Sequence, residues 1–182
     1  MKKQKIIAVL GLPGSGKSVV INYLIKKYNW PKIYFGEVTF DEMRRLNLEI
    51  NEKNERRVRE SLRKEFGELV YAKRVAEKIA KLNHEEVILL ESLYSWHEYL
   101  FLKKKFGEKF KTIAVYASPE KRYSRLENRK TRPLNLKEAQ SRDYSQIENL
   151  QQAGPIAMAD YLLVNESTKK ELYLKINKIN LQ

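Results

Sequence analysis

The chain has 182 residues, of which 42% are hydrophobic, and this is enough for one domain with a single sizeable core. It has no cysteine, which excludes disulfides and thiolate metal sites. The formal net charge of +13 is typical either of a protein with an anionic ligand (nucleotide, phosphate or RNA) or of a solvated, lysine-rich surface.

Apolar runs and helical periodicity alternate along the chain. Strands are predicted at 6–10, 32–35, 87–90, 112–117 and 161–164, and helices at 19–28, 54–66, 68–82, 96–106, 118–129 and after residues 135 and 168. This alternation predicts an α/β fold, with a parallel sheet of about five strands and helices on both faces. We expect a single domain over residues 1–182, with insertions at about 41–82 and 129–150.

The first apolar run is too short for a signal peptide or a membrane span and leads directly into a glycine-rich loop. We therefore expect a cytoplasmic protein.

That loop matches the pattern G-x-x-x-x-G-K-[ST] in full, and it lies between a predicted strand and a predicted helix. Its residues are Gly11, Leu12, Pro13, Gly14, Ser15, Gly16, Lys17 and Ser18, followed by Val19. Glycines let the backbone approach phosphate oxygens, Lys17 can reach the β- and γ-phosphates, and Ser18 can offer a hydroxyl to Mg²⁺. The loop predicts binding of a nucleoside triphosphate, and a chance glycine turn is the alternative.

Two carboxylates are predicted to end apolar strands. Glu37 comes after residues 34–36, and Glu91 after residues 88–90. Ligands of open α/β sheets bind at the carboxyl ends of the strands, so both carboxylates are expected near the γ-phosphate. We expect Glu91 to hold Mg²⁺ through water and Glu37 to orient or deprotonate the acceptor. For either residue alone, a solvated loop glutamate is the alternative.

Arginines recur at helical spacing in the last third of the chain. Arg122, Arg125 and Arg129 share one face of a predicted helix, Arg132 follows it, and Arg142 lies on the next helix. Two helices joined by a mobile segment and bearing inward arginines would form a lid that closes over phosphates. A solvent-exposed basic face with salt bridges to neighbouring glutamates is the alternative.

The acceptor side has weaker signals. Arg44 and Arg45 follow Glu37 closely enough to share its site and are candidates to bind an acceptor's phosphate. Tyr94 follows the Glu91 strand and is a candidate to stack on an acceptor base, although such aromatics are more often core residues. Neither histidine has further ligands at suitable spacing, so no dedicated protein metal site is expected.

Together these segments resemble the small P-loop kinases related to nucleoside monophosphate kinases and dephospho-CoA kinases. The sequence is especially similar to an uncharacterised, largely archaeal branch of that group. The resemblance rests on residues 11–18, 35–38, 90–92, 117–122, 141–143 and 159–166. It implies a three-layer P-loop NTPase fold with a helical acceptor-binding region and an arginine lid. It also implies ATP and Mg²⁺ as cofactors and transfer of the γ-phosphoryl group to a nucleotide or nucleotide-like acceptor.

The resemblance also assigns roles and marks two departures. It makes Asn165 and Ser167 candidate contacts beside the ATP base. Both Glu37 and Glu91 replace aspartates of the relatives, and Phe40 stands where an arginine often binds the acceptor phosphate. The acceptor therefore stays open at this point.

Two other functions are compatible with the sequence. One is a nucleotide-dependent switch or slow ATPase that regulates a protein or RNA partner, which would share the same loop. The other is an RNA-binding module, for which the basic composition is the only support, since no RNA-recognition motif is present.

Overall fold

A computed structural model describes residues 4–131 and 133–181, without the side chain of Glu52. Arg132, expected beside the lid, lies outside the described residues. The strands form one parallel sheet in the order β2-β3-β1-β4-β5. They are β1 (Lys5–Leu10), β2 (Lys32–Tyr34), β3 (Val87–Glu91), β4 (Phe110–Tyr116) and β5 (Tyr161–Val164). The predicted parallel sheet of five strands is confirmed.

Helices cover both faces of this sheet. They are α1 (Lys17–Tyr28), α2 (Glu37–Arg45), α3 (Glu52–Phe66), α4 (Val70–Lys81), α5 (Trp96–Phe106), α6 (Pro119–Glu127), α7 (Leu136–Leu150), α8 (Ala153–Ala157) and α9 (Lys169–Asn177). None of the helices in the described part of the chain is long and apolar enough to span a membrane.

Alternate residues of the central strand β1 point into two separate cores, as the period of a strand requires. Ile6 and Leu10 pack in the core beneath α4 and α5, whereas Ile7 and Val9 pack in the core beneath α1 and α9. All four side chains are buried. Burial on both faces explains why the strands read as continuous apolar runs rather than alternating ones.

The parallel register brings the ends of β1, β2 and β3 together. Val9 of β1 and Tyr34 of β2 both lie opposite Glu91, the last residue of β3. The chain leaves β1 at the glycine loop immediately afterwards, so Glu91 lies beside that loop. Residues far apart in sequence are thereby gathered at one edge of the sheet.

The expectation that Glu37 ends a strand is wrong. Strand β2 stops at Tyr34, Gly36 has a right-handed helical conformation (φ −60°, ψ −21°), and Glu37 is the first residue of helix α2. The helix therefore begins before Asp41, where the sequence pattern placed the start of the helical region. A carboxylate is favourable at this position because it faces the positive end of the helix dipole.

Candidate active site

A cavity of about 360 Å³ opens where the glycine loop meets the ends of β2 and β3. Three parts of the chain line it: the loop and the start of α1, the strand ends, and the α6–α7 pair. The lining residues are Pro13, Gly14, Lys17 and Ser18; Lys32, Tyr34, Glu91, Ser92 and Tyr94; and Leu126, Arg129 and Arg142.

The carbonyl groups of the glycine loop accept hydrogen bonds, both from the loop itself and from distant parts of the chain. The Gly11 carbonyl accepts from Lys17 Nζ (2.7 Å) and Gln152 Nε2 (3.0 Å). The remaining bonds run from Lys17 to Leu12 O (3.1 Å), Arg122 to Pro13 O (3.2 Å), Arg125 to Gly14 O (3.3 Å), Asn165 to Ser15 O (2.8 Å) and Val19 N to Gly16 O (3.0 Å).

Because these hydrogen bonds hold the loop carbonyls in place, the loop can direct its amide groups toward the cavity. Helix α1 begins at Lys17, and its N-cap residue Gly16 offers no side-chain acceptor. The Val19 amide donates to the Gly16 carbonyl. The Lys17 and Ser18 amides lie too near the start of α1 to have a partner within the helix, and the helix dipole adds partial positive charge at the same place. Loop and helix end together form a binding site for an anion such as a phosphate group.

Two glycines are required by this geometry. Gly14 and Gly16 have φ values of +78° and +103°, which L residues rarely adopt. A Cβ atom at residue 14 would lie 2.5 Å from the Arg122 carbonyl oxygen, and one at residue 16 would collide with the Asn165 amide. A larger residue at either position would distort the loop.

Lys17 provides one of the positive charges of the site. Two of its three ammonium hydrogens are used on the Gly11 and Leu12 carbonyls, which leaves one for a ligand. Burial, followed by the nearby positive charge of Arg142, lowers the pKa of Lys17 to about 8. A bound phosphate would raise the pKa of Lys17 again, so this buried lysine favours an anionic ligand.

Ser18 and Glu91 form the oxygen-rich part of the cavity. Ser18 Oγ donates to Glu91 Oε1 at 3.0 Å, and Lys32 Nζ donates to Glu91 Oε2 at 2.7 Å. The Ser18 oxygen keeps its lone pairs, so it can still act as a ligand. Hydroxyl and carboxylate oxygens suit Mg²⁺, which also keeps water and phosphate ligands. The described residues contain no group of three or more histidines and carboxylates able to hold a metal unaided.

The described arginines predicted for the lid divide into two pairs. Helix α6 ends at Glu127, so Arg129 lies beyond it rather than on the predicted helix face. Arg122 is buried, with its Nη2 atom 2.6 Å from Asp143 Oδ2, and it supports the loop from behind. Arg125 bridges the Gly14 carbonyl and the Asn165 carbonyl, the latter at 2.8 Å. Arg129 and Arg142, in contrast, line the cavity.

The predicted acceptor residues of α2 form ion pairs within their own helix. Arg44 pairs with Glu37 and Asp41, and Arg45 pairs with Glu42. None of these residues is among those that line the cavity. The expected place of Glu37 near the γ-phosphate therefore stays a prediction.

Among the other predicted site residues, Tyr94 lines the cavity, with its ring centroid 6.0 Å from Lys17 Nζ. Asn165 is buried against the loop, and Ser167 Oγ donates to Glu171 of α9. Val19 packs against the apolar core beneath α1.

Lys32, Tyr34 and Gln152 carried no usable signal in the sequence, and the backbone strain at Ser92, within the motif at residues 90–92, was not predicted. Lys32 and Tyr34 face the cavity because β2 pairs in parallel with β3, and that register cannot be read from one strand. Gln152 reaches Gly11 across 141 residues. Ser92 lines the cavity with a φ of +71°, a strained conformation of the kind that clusters at functional sites.

Sequence comparison shows which proteins are similar to this chain. The AAA domain family matches residues 7–150. A UPF0200 protein from Hyperthermus butylicus is 34% identical over 176 residues, which covers 96% of this chain and 92% of the relative. A UPF0200 protein from Thermococcus kodakarensis is 30% identical over 178 residues, with coverage of 96% and 95%.

Structural comparison identifies the same fold in small-molecule kinases. A gluconokinase from Sinorhizobium meliloti superposes with a TM-score of 0.62 at 14% identity, covering 97% of this chain and 91% of that one. A shikimate kinase from Bacteroides thetaiotaomicron also gives a TM-score of 0.62, at 16% identity, with coverage of 96% and 95%. At these identities the likeness establishes the fold alone.

Proposed function

Because the chain belongs to the UPF0200 family and its AAA domain has the P-loop kinase fold, we propose that the protein transfers the γ-phosphoryl group of ATP to a small acceptor. The acceptor we propose is a nucleotide or a nucleotide-like molecule, of the nucleoside monophosphate or dephospho-CoA type. We further propose a single domain in which α6 and α7 act as the lid.

One observation carries this proposal: the cavity that holds the phosphate-binding groups is also lined by a further cation and two aromatic rings. The loop amides, Lys17 and the Ser18–Glu91 pair form a site for the phosphates of a donor. Lys32, Tyr34 and Tyr94 line the same cavity. A protein that only held the phosphates of a nucleotide would not need these further groups.

The residues that would act on the transferring group come from three parts of the chain. Lys17 would contact the β- and γ-phosphates, Arg129 would approach from the segment after α6, and Arg142 from α7. Phosphoryl transfer needs little covalent help from a protein, because catalysis comes mostly from positioning and from stabilising charge on the phosphoryl oxygens.

Ser18 and Glu91 would hold Mg²⁺, Ser18 directly and Glu91 through water. When bound, the metal would neutralise negative charge on the donor phosphates. Arg125 and Asn165 would act on the donor side by fixing the loop that holds those phosphates.

The charge of the cavity favours anionic ligands, the acceptor included. Glu91 is the only carboxylate among the described lining residues, which also include Lys17, Lys32, Arg129 and Arg142. The excess of positive charge would attract a phosphate or a carboxylate of the acceptor. The predicted role of Glu37 in orienting the acceptor stays a prediction, since this residue does not line the cavity.

A phosphoryl-transfer screen tests the function. Nucleoside monophosphates, nucleosides, dephospho-CoA, shikimate and gluconate would each be incubated with protein, Mg²⁺ and either ATP or GTP. Mass spectrometry would then detect an acceptor that has gained a phosphoryl group. We expect at least one phosphorylated acceptor with wild-type protein and none with Lys17→Ala.

A second function is distinguished by the same screen. Arg44 and Arg45 are not among the described residues that line the cavity. This favours a nucleotide-dependent switch, because the acceptor phosphate then lacks the arginines expected to bind it. In that case ATP would be hydrolysed slowly, hydrolysis would rise with a protein or RNA partner, and no small acceptor would be phosphorylated. That result would contradict the kinase proposal.

A further inference from the structure

We propose that Lys32 is a positioning residue that occupies the carboxylate of Glu91 in the absence of metal and gives it up when a magnesium-bound nucleotide enters. The inference rests on the proposed donor site. It goes beyond the proposed function because it gives a role to Lys32, which belongs neither to the loop nor to the lid. In that role the Lys32 ammonium group leaves Glu91 as Mg²⁺ arrives.

The first support is the geometry of Glu91. Both carboxylate oxygens are engaged, one by Ser18 Oγ at 3.0 Å and the other by Lys32 Nζ at 2.7 Å. The Glu91 side chain is only 12% exposed, whereas that of Lys32 is 35% exposed. The carboxylate is therefore largely enclosed while the lysine has room to move, and its flexible stem permits that movement.

The second support is charge. A divalent cation held beside Ser18 and Glu91 would place two positive charges next to the carboxylate that Lys32 already neutralises. The ammonium group and the metal would then compete for one negative charge and repel each other. The more mobile cation gives way, so Lys32 leaves Glu91 when the metal arrives.

The third support is the position of Lys32 in the cavity. It lies on edge strand β2, opposite Leu89 of β3, and lines the cavity together with Tyr34. A lysine that served only to complete a surface ion pair would not need to face the binding site. When released from Glu91, the ammonium group can stay in the cavity that Lys32 lines.

The pair has a measurable consequence. Without Lys32, Glu91 would repel the phosphates of metal-free ATP and would attract Mg²⁺ more strongly. The ratio of the dissociation constant of metal-free ATP to that of Mg²⁺-ATP should therefore rise in Lys32→Gln. Since coupling between two sites typically changes affinity by a factor of about 5 or more, we expect a rise of at least about fivefold.

Calorimetric titration of ATP with EDTA and with saturating Mg²⁺ measures this ratio. Lys32→Arg keeps a cation beside Glu91 and should leave the ratio close to the wild-type value. Lys111→Gln is the matched control, because Lys111 is also a strand lysine that pairs with carboxylates (Glu108 and Asp160) and is 33% exposed, but it does not line the cavity. It should leave the ratio unchanged.

Each outcome decides the matter. An unchanged ratio in Lys32→Gln, or an equal rise in Lys111→Gln, would overturn the role of Lys32. A higher ratio in Lys32→Gln alone would support it, even if no acceptor is ever phosphorylated, so the proposed function can fail separately. If wild-type protein binds neither form of ATP, the donor site itself is wrong and the role of Lys32 falls with it.

Discussion

Lys17 combines burial with a charge that has no anionic partner within its own loop. Its ammonium group is held by two backbone oxygens, and its pKa is lowered to about 8 by burial and by Arg142. The physical reason for such a site is that a ligand supplies the missing negative charge. Nucleotide binding should therefore depend on pH.

Nucleotide binding should take up a proton at alkaline pH. Bound phosphates favour the charged lysine, so Lys17 has a higher pKa in the complex than in the free protein, where it is about 8. At about pH 9 the free lysine is mostly neutral and binding should take up roughly one proton, whereas at about pH 7 uptake should be small. Calorimetry in buffers of different ionisation enthalpy measures this, with Lys17→Ala as control. Equal uptake at both pH values would contradict it.

Ser92 is strained by its own backbone. Its φ of +71° lies in the left-handed region, which costs an L residue roughly 1 kcal/mol. Ser92→Gly should relieve that strain and raise the free energy of unfolding by up to about 1 kcal/mol. Urea denaturation measures the change. Ser61→Gly, on an exposed turn of α3, should lower stability instead, and an equal loss in both variants would show that Ser92 is not strained.

At the scale of elements, the sequence pattern was most informative where the local physics is strong. Buried strands gave unbroken apolar runs, and the helix predicted after residue 135 begins with a capping box of Asn135 and Glu138. The pattern was least informative at α2. The residues after β2 turn directly into helix at Gly36, and nothing in a single sequence distinguishes that turn from a longer strand ending at Glu37.

Helices α6 and α7 are joined by a buried ion pair that also supports the loop. The side chains of Arg122 and Asp143 are each 4% exposed. Removing one partner of such a pair leaves a buried charge without compensation, at a typical cost of about 3–5 kcal/mol. Asp143→Ala should therefore lower the free energy of unfolding by about that amount and also weaken nucleotide binding, because Arg122 holds the Pro13 carbonyl.

Urea denaturation would measure the loss against a surface pair. Glu60 pairs with Arg56 at 2.9 Å on α3, where both side chains are well exposed, so Glu60→Ala should cost less than about 1 kcal/mol. Equal losses in the two variants would mean that the Arg122–Asp143 pair does not secure α6 to α7.

At the scale of the whole molecule, one buried carboxyl outside the site should set the pH dependence of stability. Glu98 of α5 is 3% exposed, and burial raises its pKa to about 7, against the opposing effects of Arg63 and the Ser95 amide. The folded state therefore keeps a proton between about pH 4.5 and pH 7 that the unfolded state loses. The free energy of unfolding falls as pH rises through this window. Above about pH 7 the folded protein bears the full penalty of a buried, ionised Glu98.

Glu98→Gln removes this penalty because glutamine is never charged. The variant should be more stable than wild type by about 2–3 kcal/mol at about pH 8 and should gain little at about pH 5. Urea denaturation at the two pH values measures the difference. A gain that is the same at both would show that Glu98 is not protonated in the folded protein.

The whole site depends on contacts between distant parts of the chain. Ser18 meets Glu91 across 73 residues and Asn165 meets Ser15 across 150 residues. The loop, Glu91 and the cavity arginines were predictable because each has a local motif or spacing. The donors to the loop carbonyls, such as Gln152, were not predictable, since only the completed sheet brings them to the loop.

The central claim is that the loop holds a triphosphate through its amides and Lys17. Calorimetric titration of wild type and Lys17→Ala with Mg²⁺-ATP and with adenosine tests it most directly. We expect wild type to bind Mg²⁺-ATP and not adenosine, and Lys17→Ala to lose at least about tenfold in affinity, as for one charge-assisted phosphate contact of 1.4 kcal/mol or more. Binding of adenosine as tight as that of Mg²⁺-ATP, or undiminished binding of Mg²⁺-ATP by Lys17→Ala, would contradict it.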